Sequence, residues 1–393
     1  MTATLWRNGD YLLYWWSRAS SILGSQVSYL AIPLYALTVL HQSPTAALVG
    51  VCGYGSGLLF ALHAGVIGDR FDRRLVMVAA DVCRAVLMGI LAMQAAFGVA
   101  SLLSMCLIAL AVGALSVVFD SAANAALPDL VGEELFARAM ARNQSRDFAL
   151  GMAGPLLGGA LVAVGPKWAF AFDAASYVVS AILLVFIRTP LAPGAGPGRR
   201  RTLAMIRDGL GWVVKDRTLR RMTLYLSVLN LVLTAGVFAT ADHFVARAEP
   251  LGQGFMVAVQ AVGGLLGSLV AERLHRTRSV RAIIGLHGGL WFVGLTAAGI
   301  LPVAPVIAFG FGIGWLVAPA LRIAFGSRLV RVVPTDVRGR VNSAVSLSTA
   351  TFSMVGPAVG GVAFGLVGYG VTMVGLGLVA LAAVLLAPRS TVD

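Results

Sequence analysis

Long apolar stretches alternate with short polar segments along the whole chain. Each stretch has about the 20 residues that an α-helix needs to cross the hydrocarbon core of a bilayer, and Gly, Pro or clustered charges mark its ends. The pattern predicts about twelve membrane spans, at residues 14–40, 45–68, 74–97, 100–125, 144–165, 168–188, 219–245, 253–273, 281–300, 304–328, 341–365 and 368–387. We therefore expect an all-α membrane protein.

Positive charge is distributed unevenly between the two sets of loops. If the N-terminus is inside the cell, the only basic residues outside the cytoplasmic segments are Lys167 and Arg247 in outer loops, and Arg18, Arg84 and Arg322 within spans. Because basic loops resist translocation, both termini are predicted to be cytoplasmic. The alternation also supports the span count, since a missed span would invert it downstream.

Composition narrows the class further. Hydrophobic residues make up 58% and charged residues 12% of the chain, against about 25% charged residues in soluble domains. The net charge of +13 is spread over the loops, which favours anionic membrane lipids as partners and disfavours nucleic acid. The five histidines and three cysteines lack metal-ligand spacing, and there is no P-loop. We expect no metal site, no cofactor, no enzymatic activity and no direct use of ATP.

The two halves of the chain repeat. At an offset of 202 residues, 152–159 aligns with 354–361, and the same offset pairs Gly65 with Gly267. A single offset across different helices indicates duplication of a six-helix unit, with substrate bound between the two halves near the membrane midplane. The predicted segments are an N-terminal half, a cytoplasmic linker with an amphipathic helix around Leu203–Val214, and a C-terminal half: 1–188, 189–218 and 219–393.

A glycine, an acidic residue and closely spaced arginines follow span two: Gly65, Asp69, Arg70, Arg73 and Arg74. They resemble the signature loop of the major facilitator superfamily, and a degenerate copy with Glu272 and Arg273 follows span eight. The resemblance implies a gate in which Asp69 accepts hydrogen bonds from the N-terminus of span eleven, near Val341. Asp120 is assigned to the same gate. The alternative is that these arginines only set topology.

Span five carries a glycine-proline motif that recurs in span eleven: Gly151, Gly154, Pro155, Gly158 and Gly159, then Gly356 and Pro357. It is similar to the signature that exporters of the superfamily carry in that helix. Small residues three and four apart allow helices to pack closely, and proline leaves a backbone carbonyl free. We expect a pliable seam along this helix.

Residues 69–74, Asp81 with Arg84, 126–131 and 170–177 together resemble the drug-efflux branch that includes macrolide and enterobactin exporters. The resemblance implies a monomeric secondary-active transporter in a bacterial-type cytoplasmic membrane. It would export amphipathic or hydrophobic small molecules, such as drugs, antibiotics or siderophore-like compounds, by alternating access and proton antiport. Uptake by the same fold remains open, as does a non-transporting sensor or lipid-handling protein.

Ionisable residues inside a bilayer are functional candidates. Asp81 and Arg84 lie on one helical face and are expected to pair; the full set of coupling candidates is Asp81, Arg84, Asp173 and Asp242. A structural role for the pair remains open. The candidates for substrate contacts are neutral polar residues, which also serve to join helices: Ser21, Gln26, Asn230 and Gln260.

Overall fold

The computed structural model describes residues 5–40, 43–191, 199–334 and 337–387. These ranges form helices and no strand, so the predicted all-α class is confirmed. The helices are α1 (Gly9–Leu40), α2 (Ser43–Arg70), α3 (Arg73–Phe97), α4 (Leu102–Val164), α5 (Pro166–Val185), α6 (Arg199–Lys215), α7 (Arg217–Ala246), α8 (Pro250–Thr277), α9 (Val280–Ile300), α10 (Ala304–Trp315), α11 (Ala318–Val332) and α12 (Arg338–Ala383).

Two helices are much longer than a membrane is thick, and each is broken at a glycine. α4 has 63 residues and a break at Gly132, where φ is 71°. α12 has 46 residues and a break at Gly368, where φ is 75°. A positive φ is readily adopted only by glycine, so these two residues allow the chain to turn back. The break at Gly132 falls between two predicted spans, and the break at Gly368 falls at the first residue of the span predicted at 368–387.

Ten helices of the described residues are long and apolar enough to cross a membrane. This number is smaller than the predicted twelve for two reasons. The ten do not include Ser43–Arg70, which is a helix of 28 residues. In addition, Arg340–Leu386 counts once although Gly368 divides it.

The span predicted at 304–328 consists of two helices, α10 and α11, with an interruption at Leu316 and Val317. Pro319 stands in the first turn of α11. Because proline has no N–H and crowds the preceding turn, a regular helix does not continue through this point.

The described residues form two compact units. The first unit contains those of Met1–Val39 and Gly55–Arg199, and the second contains those of Leu40–Tyr54 and Arg200–Asp393. The chain passes between the units after Val39, after Tyr54 and after Arg199, and only the last of these points lies in the segment predicted as a linker. Within that segment, the predicted amphipathic helix is confirmed as α6.

α3 shows how these helices are oriented within a unit. Its exposed face carries Val82, Val86, Ile90, Met93 and Phe97, whereas Asp81 and Arg84 are buried. A soluble helix has the opposite pattern, with its polar face outside. The exposed face of α3 is therefore suited to lipid, and the polar residues face the interior of the first unit.

Candidate functional site

A buried ion pair lies on the inner face of α3, as the helical spacing predicted. The Arg84 guanidinium contacts the Asp81 carboxylate, and the two side chains are 3% and 0% exposed. The Ser180 hydroxyl on α5 donates to Oδ2 of Asp81 at 2.5 Å, and Ser17 on α1 lies 2.7 Å from the Ser180 oxygen. The pair thus joins three helices of the first unit.

Arg84 is also enclosed by neutral groups. Its Nη1 donates to the Ser116 hydroxyl at 3.2 Å. Its guanidinium carbon lies 4.5 Å from the centre of the Phe119 ring and 4.3 Å from that of Tyr177. Such cation–π contacts stabilise a desolvated cation. The geometry supports the structural role that the sequence left open for this pair.

Asp173 on α5 is fully buried, and only part of its carboxylate has a partner. The Ser176 hydroxyl donates to the Asp173 backbone oxygen at 2.7 Å and lies 3.4 Å from Oδ1. Gly24 on α1 packs against the same carboxylate, leaving no room for a Cβ. Oδ2 of Asp173 has no hydrogen-bond partner among the described residues. An ionised carboxylate is costly in such a place.

Two of the gate candidates, Arg73 and Asp120, lie in ion pairs within the first unit. Arg73, the first residue of α3, contacts Asp129 on α4, and Arg18 on α1 contacts Asp120 on α4. Arg74 donates to the Ile187 backbone oxygen at 2.6 Å. The sequence assigned Asp120 to the gate but did not identify its partner, because the residues are far apart in the chain.

Gly65, Asp69 and Arg70 belong to α2, but their surroundings lie outside the residues whose side chains the structure describes. The predicted contact between Asp69 and span eleven stays a prediction. In the degenerate copy, Glu272 accepts from Arg276 on the same helix at 2.5 Å, and both side chains are more than two-thirds exposed. Arg273 is also exposed.

The glycine-proline helix packs directly on α1. A Cβ at Gly154 would collide with Gln26, and one at Gly158 would lie 3.0 Å from the Val27 backbone oxygen. Pro155 and Gly159 are buried in the same stretch. The backbone of α4 thus lies against the Gln26 side chain at Gly154 and against the Val27 backbone at Gly158, a close approach that small residues at this spacing permit.

The repeat packs in the same way in the second unit. A Cβ at Gly356 would collide with the Thr234 side chain on α7, and one at Gly360 would collide with the Ala235 backbone carbonyl. Pro357 lies against Gly50 of α2. The duplicated sequence thus makes equivalent contacts with the first long helix of each unit.

The remaining polar candidates have different surroundings. Gln26 packs against Gly151 and Gly154. Ser21 and Gln260 are buried at 3% and 8% exposure, and Nε2 of Gln260 has no acceptor among the described residues. Asp242 on α7 is 8% exposed. The fourth substrate candidate, Asn230, lines a cavity.

This cavity of about 280 Å³ lies within the second unit, between α7, α9, α10, α11 and α12. Its walls include Asn230, Trp291, Trp315, Arg322 and Phe325. Asn230 donates to the Leu226 backbone oxygen at 2.9 Å. The sequence placed Arg322 inside a span but did not assign it. A signal for it was available in the spacing of Trp315 and Arg322, since residues seven apart lie on one face of a helix.

No group of three or more His, Cys, Asp or Glu residues that could hold a metal ion occurs in the part of the chain that the structure describes.

Sequence comparison places this architecture among transporters. An MFS-type transporter, YfiS, of Bacillus subtilis (strain 168) is 27% identical over 362 residues, covering 88% of this chain and 84% of the relative. The enterobactin exporter EntS of Shigella boydii is 25% identical over 352 residues, covering 87% and 82%.

Solved structures agree in fold. A bacterial homologue of the iron transporter ferroportin, in an inward-facing state, matches with a TM-score of 0.73 and 21% identity, covering 98% of this chain and 97% of that one. The nucleoside transporter NupG matches with a TM-score of 0.73 and 13% identity, covering 96% and 98%. The family model of the Major Facilitator Superfamily matches residues 14–318. This chain therefore belongs to the major facilitator superfamily of membrane transporters.

Proposed function

We propose that this transporter exports amphipathic or hydrophobic small molecules from the cell by alternating access, driven by proton antiport. It works as a monomer in a bacterial-type cytoplasmic membrane with both termini inside. Two of its sequence relatives support the class, since one is an MFS-type transporter and the other an enterobactin exporter.

The observation that carries the proposal is the close seam at Gly154 and Gly158, where the backbone of α4 lies against Gln26 and Val27 of α1. Exporters of the superfamily resemble this chain in having glycine and proline at that place, and here the two glycines lie directly on α1. Because the α4 side of the seam is formed by glycines, one helix can move against the other at low cost, and Pro155 weakens the hydrogen bonding of α4 beside it. Alternating access requires such movement in each half.

We assign proton coupling to Asp173. Asp81 is held in an ion pair with Arg84, whereas Asp173 is fully buried and its Oδ2 lacks a hydrogen-bond partner among the described residues. A proton on Asp173 would remove the cost of a buried negative charge. Its release would require the site to open to water, which is how a carboxylate can link proton movement to a change of conformation.

The test is transport in vesicles of known orientation, loaded with a panel of fluorescent amphipathic compounds. We expect movement in the export direction that depends on a pH gradient and stops when a protonophore collapses it. Movement in the uptake direction would overturn export. No movement of any compound, with folded protein in the membrane, would overturn transport of this substrate class.

Coupling is tested by Asp173→Asn, with Glu249→Gln as the matched control because Glu249 is an exposed carboxylate at the start of α8. We expect Asp173→Asn to abolish gradient-driven export but to retain exchange of labelled for unlabelled substrate. Glu249→Gln should behave as the parent protein. Gradient-driven export that survives in Asp173→Asn would exclude this residue as the coupling group.

A further inference from the structure

An arginine, Arg322, lines the cavity of the second unit. Arg322 is exposed, and none of the other described residues that line the cavity is an Asp or a Glu. Among the described residues, no carboxylate forms an ion pair with Arg322. On the same helix, Arg328 is paired with Asp216 at 2.9 Å. A guanidinium at membrane depth is costly, so an unpaired one that faces a cavity indicates an anionic ligand.

Two further features of the cavity favour an anion. The indole N–H of Trp315 is buried and has no acceptor among the described residues. Ala318, the first residue of α11, also lines the cavity. The N-terminal end of a helix carries partial positive charge and free N–H groups. An oxyanion placed here would receive a charge-assisted bond from Arg322 and satisfy the unpaired indole donor.

The walls of the cavity favour a flat apolar body. Trp291, Trp315 and Phe325 provide aromatic surface, and the Trp291 and Phe311 rings are held edge to face with centroids 5.8 Å apart. A volume of about 280 Å³ is near the lower end of cavities that hold drug-sized ligands, which start at about 300 Å³. It suits a compound of one or two rings.

His287 positions one of these walls and does not supply a second cation. Trp291 donates its indole N–H to Nε2 of His287 at 3.2 Å, so Nε2 carries no proton. The ring proton is therefore on Nδ1, which lies 2.8 Å from the Tyr225 hydroxyl. The imidazole is neutral in this arrangement, and Arg322 is the charged group of the cavity.

We infer that this cavity is a binding site for aromatic anions, and that such compounds are the preferred substrates of the transporter. The inference rests on the proposed export function, because it names the chemical class that the exporter carries. Arg322 binds the anionic group, Trp315 adds a hydrogen bond, and the aromatic walls hold the rings.

The test compares three probes with one ring system and different charge: naphthalene-1-sulfonate, 1-naphthalenemethanol and 1-naphthylmethylammonium. Binding is measured by equilibrium dialysis of the purified full chain in detergent, with protein-free micelles as the blank. We expect the sulfonate to bind at least about tenfold more tightly than the other two, as one charge-assisted hydrogen bond provides. Equal binding of all three probes would overturn the inference.

The variants are Arg322→Gln and Trp315→Phe, with Arg331→Gln as the matched control. Arg331 is an exposed arginine in the last turn of the same helix. Arg322→Gln should bind the sulfonate about tenfold more weakly than the parent protein. Its affinity for the neutral probe should be unchanged, which would show that the cavity is still folded. Trp315→Phe, which keeps a ring but lacks the N–H, should lose less. An equal loss in Arg322→Gln and Arg331→Gln would overturn the site.

Transport of the same probes separates this inference from the proposed function. Selective binding through Arg322 without flux of any compound would overturn export and leave the anion site standing. If export proceeds but sulfonate binding does not depend on Arg322, the anion site would be overturned and the export function would stand.

Discussion

The Asp81–Arg84 pair should be strongly coupled in energy, and a double-mutant cycle can measure it. Asp81→Asn leaves a guanidinium that is 3% exposed without an anion, and breaking a buried pair from one side costs about 3–5 kcal/mol. Arg84→Met leaves the Asp81 carboxylate with Ser180 as its neutral donor. The double variant removes both charges and keeps the volumes similar. We expect its loss in free energy of unfolding to be about 1–3 kcal/mol smaller than the sum of the losses of the two single variants.

The assay is equilibrium unfolding of the purified protein in mixed micelles of increasing SDS content, followed by tryptophan fluorescence. The matched control is the Glu272–Arg276 pair, in which the side chains are 71% and 75% exposed. A cycle of Glu272→Gln and Arg276→Gln should give about 0.3–0.5 kcal/mol, as solvent-exposed helical pairs do. If the Asp81–Arg84 cycle were additive to within about 0.5 kcal/mol, the structural role assigned to the buried pair would be refuted.

Three other substitutions test separate contacts. Gly154→Leu should disrupt packing on α1 and reduce export in the vesicle assay, whereas Ala153→Leu, on the exposed side, should not; equal effects would contradict the seam. Gly209→Leu should detach α6 from Arg340 and speed trypsin cleavage of α6, whereas Gly211→Leu has open space and should leave the rate unchanged. Arg73→Gln should lower the free energy of unfolding by at most about 1 kcal/mol, since its partner Asp129 is 42% exposed; a loss of several kcal/mol would contradict this.

Local spacing in the sequence predicted those features that depend only on the geometry of a single helix. Asp81 and Arg84 are three residues apart, so helical geometry alone places them together. The glycines of span five are also regularly spaced, and the structure places Gly154 and Gly158 on a neighbouring helix as expected. In both cases the relevant geometry lies within a single helix.

Contacts between distant segments were beyond this kind of prediction. Nothing in the spacing of Arg18 and Asp120 indicates that they pair, because that contact depends on how α1 packs on α4. The cavity was missed for the same reason, because its walls come from five helices whose packing local spacing does not give. The interruption at Leu316 and Val317 was missed because hydropathy alone gives one continuous span.

The arginines within predicted spans have different surroundings in the two units. In the first unit, Arg18 and Arg84 each contact a carboxylate, Asp120 and Asp81 respectively. In the second, Arg322 has no carboxylate partner among the described residues and lines a cavity. A desolvated charge is costly wherever it lies. A paired arginine is therefore stabilised by its carboxylate partner in the folded protein, and an unpaired arginine is stabilised by a bound anion. Loss of Arg84 should therefore impair stability first, and loss of Arg322 should impair binding while the fold persists.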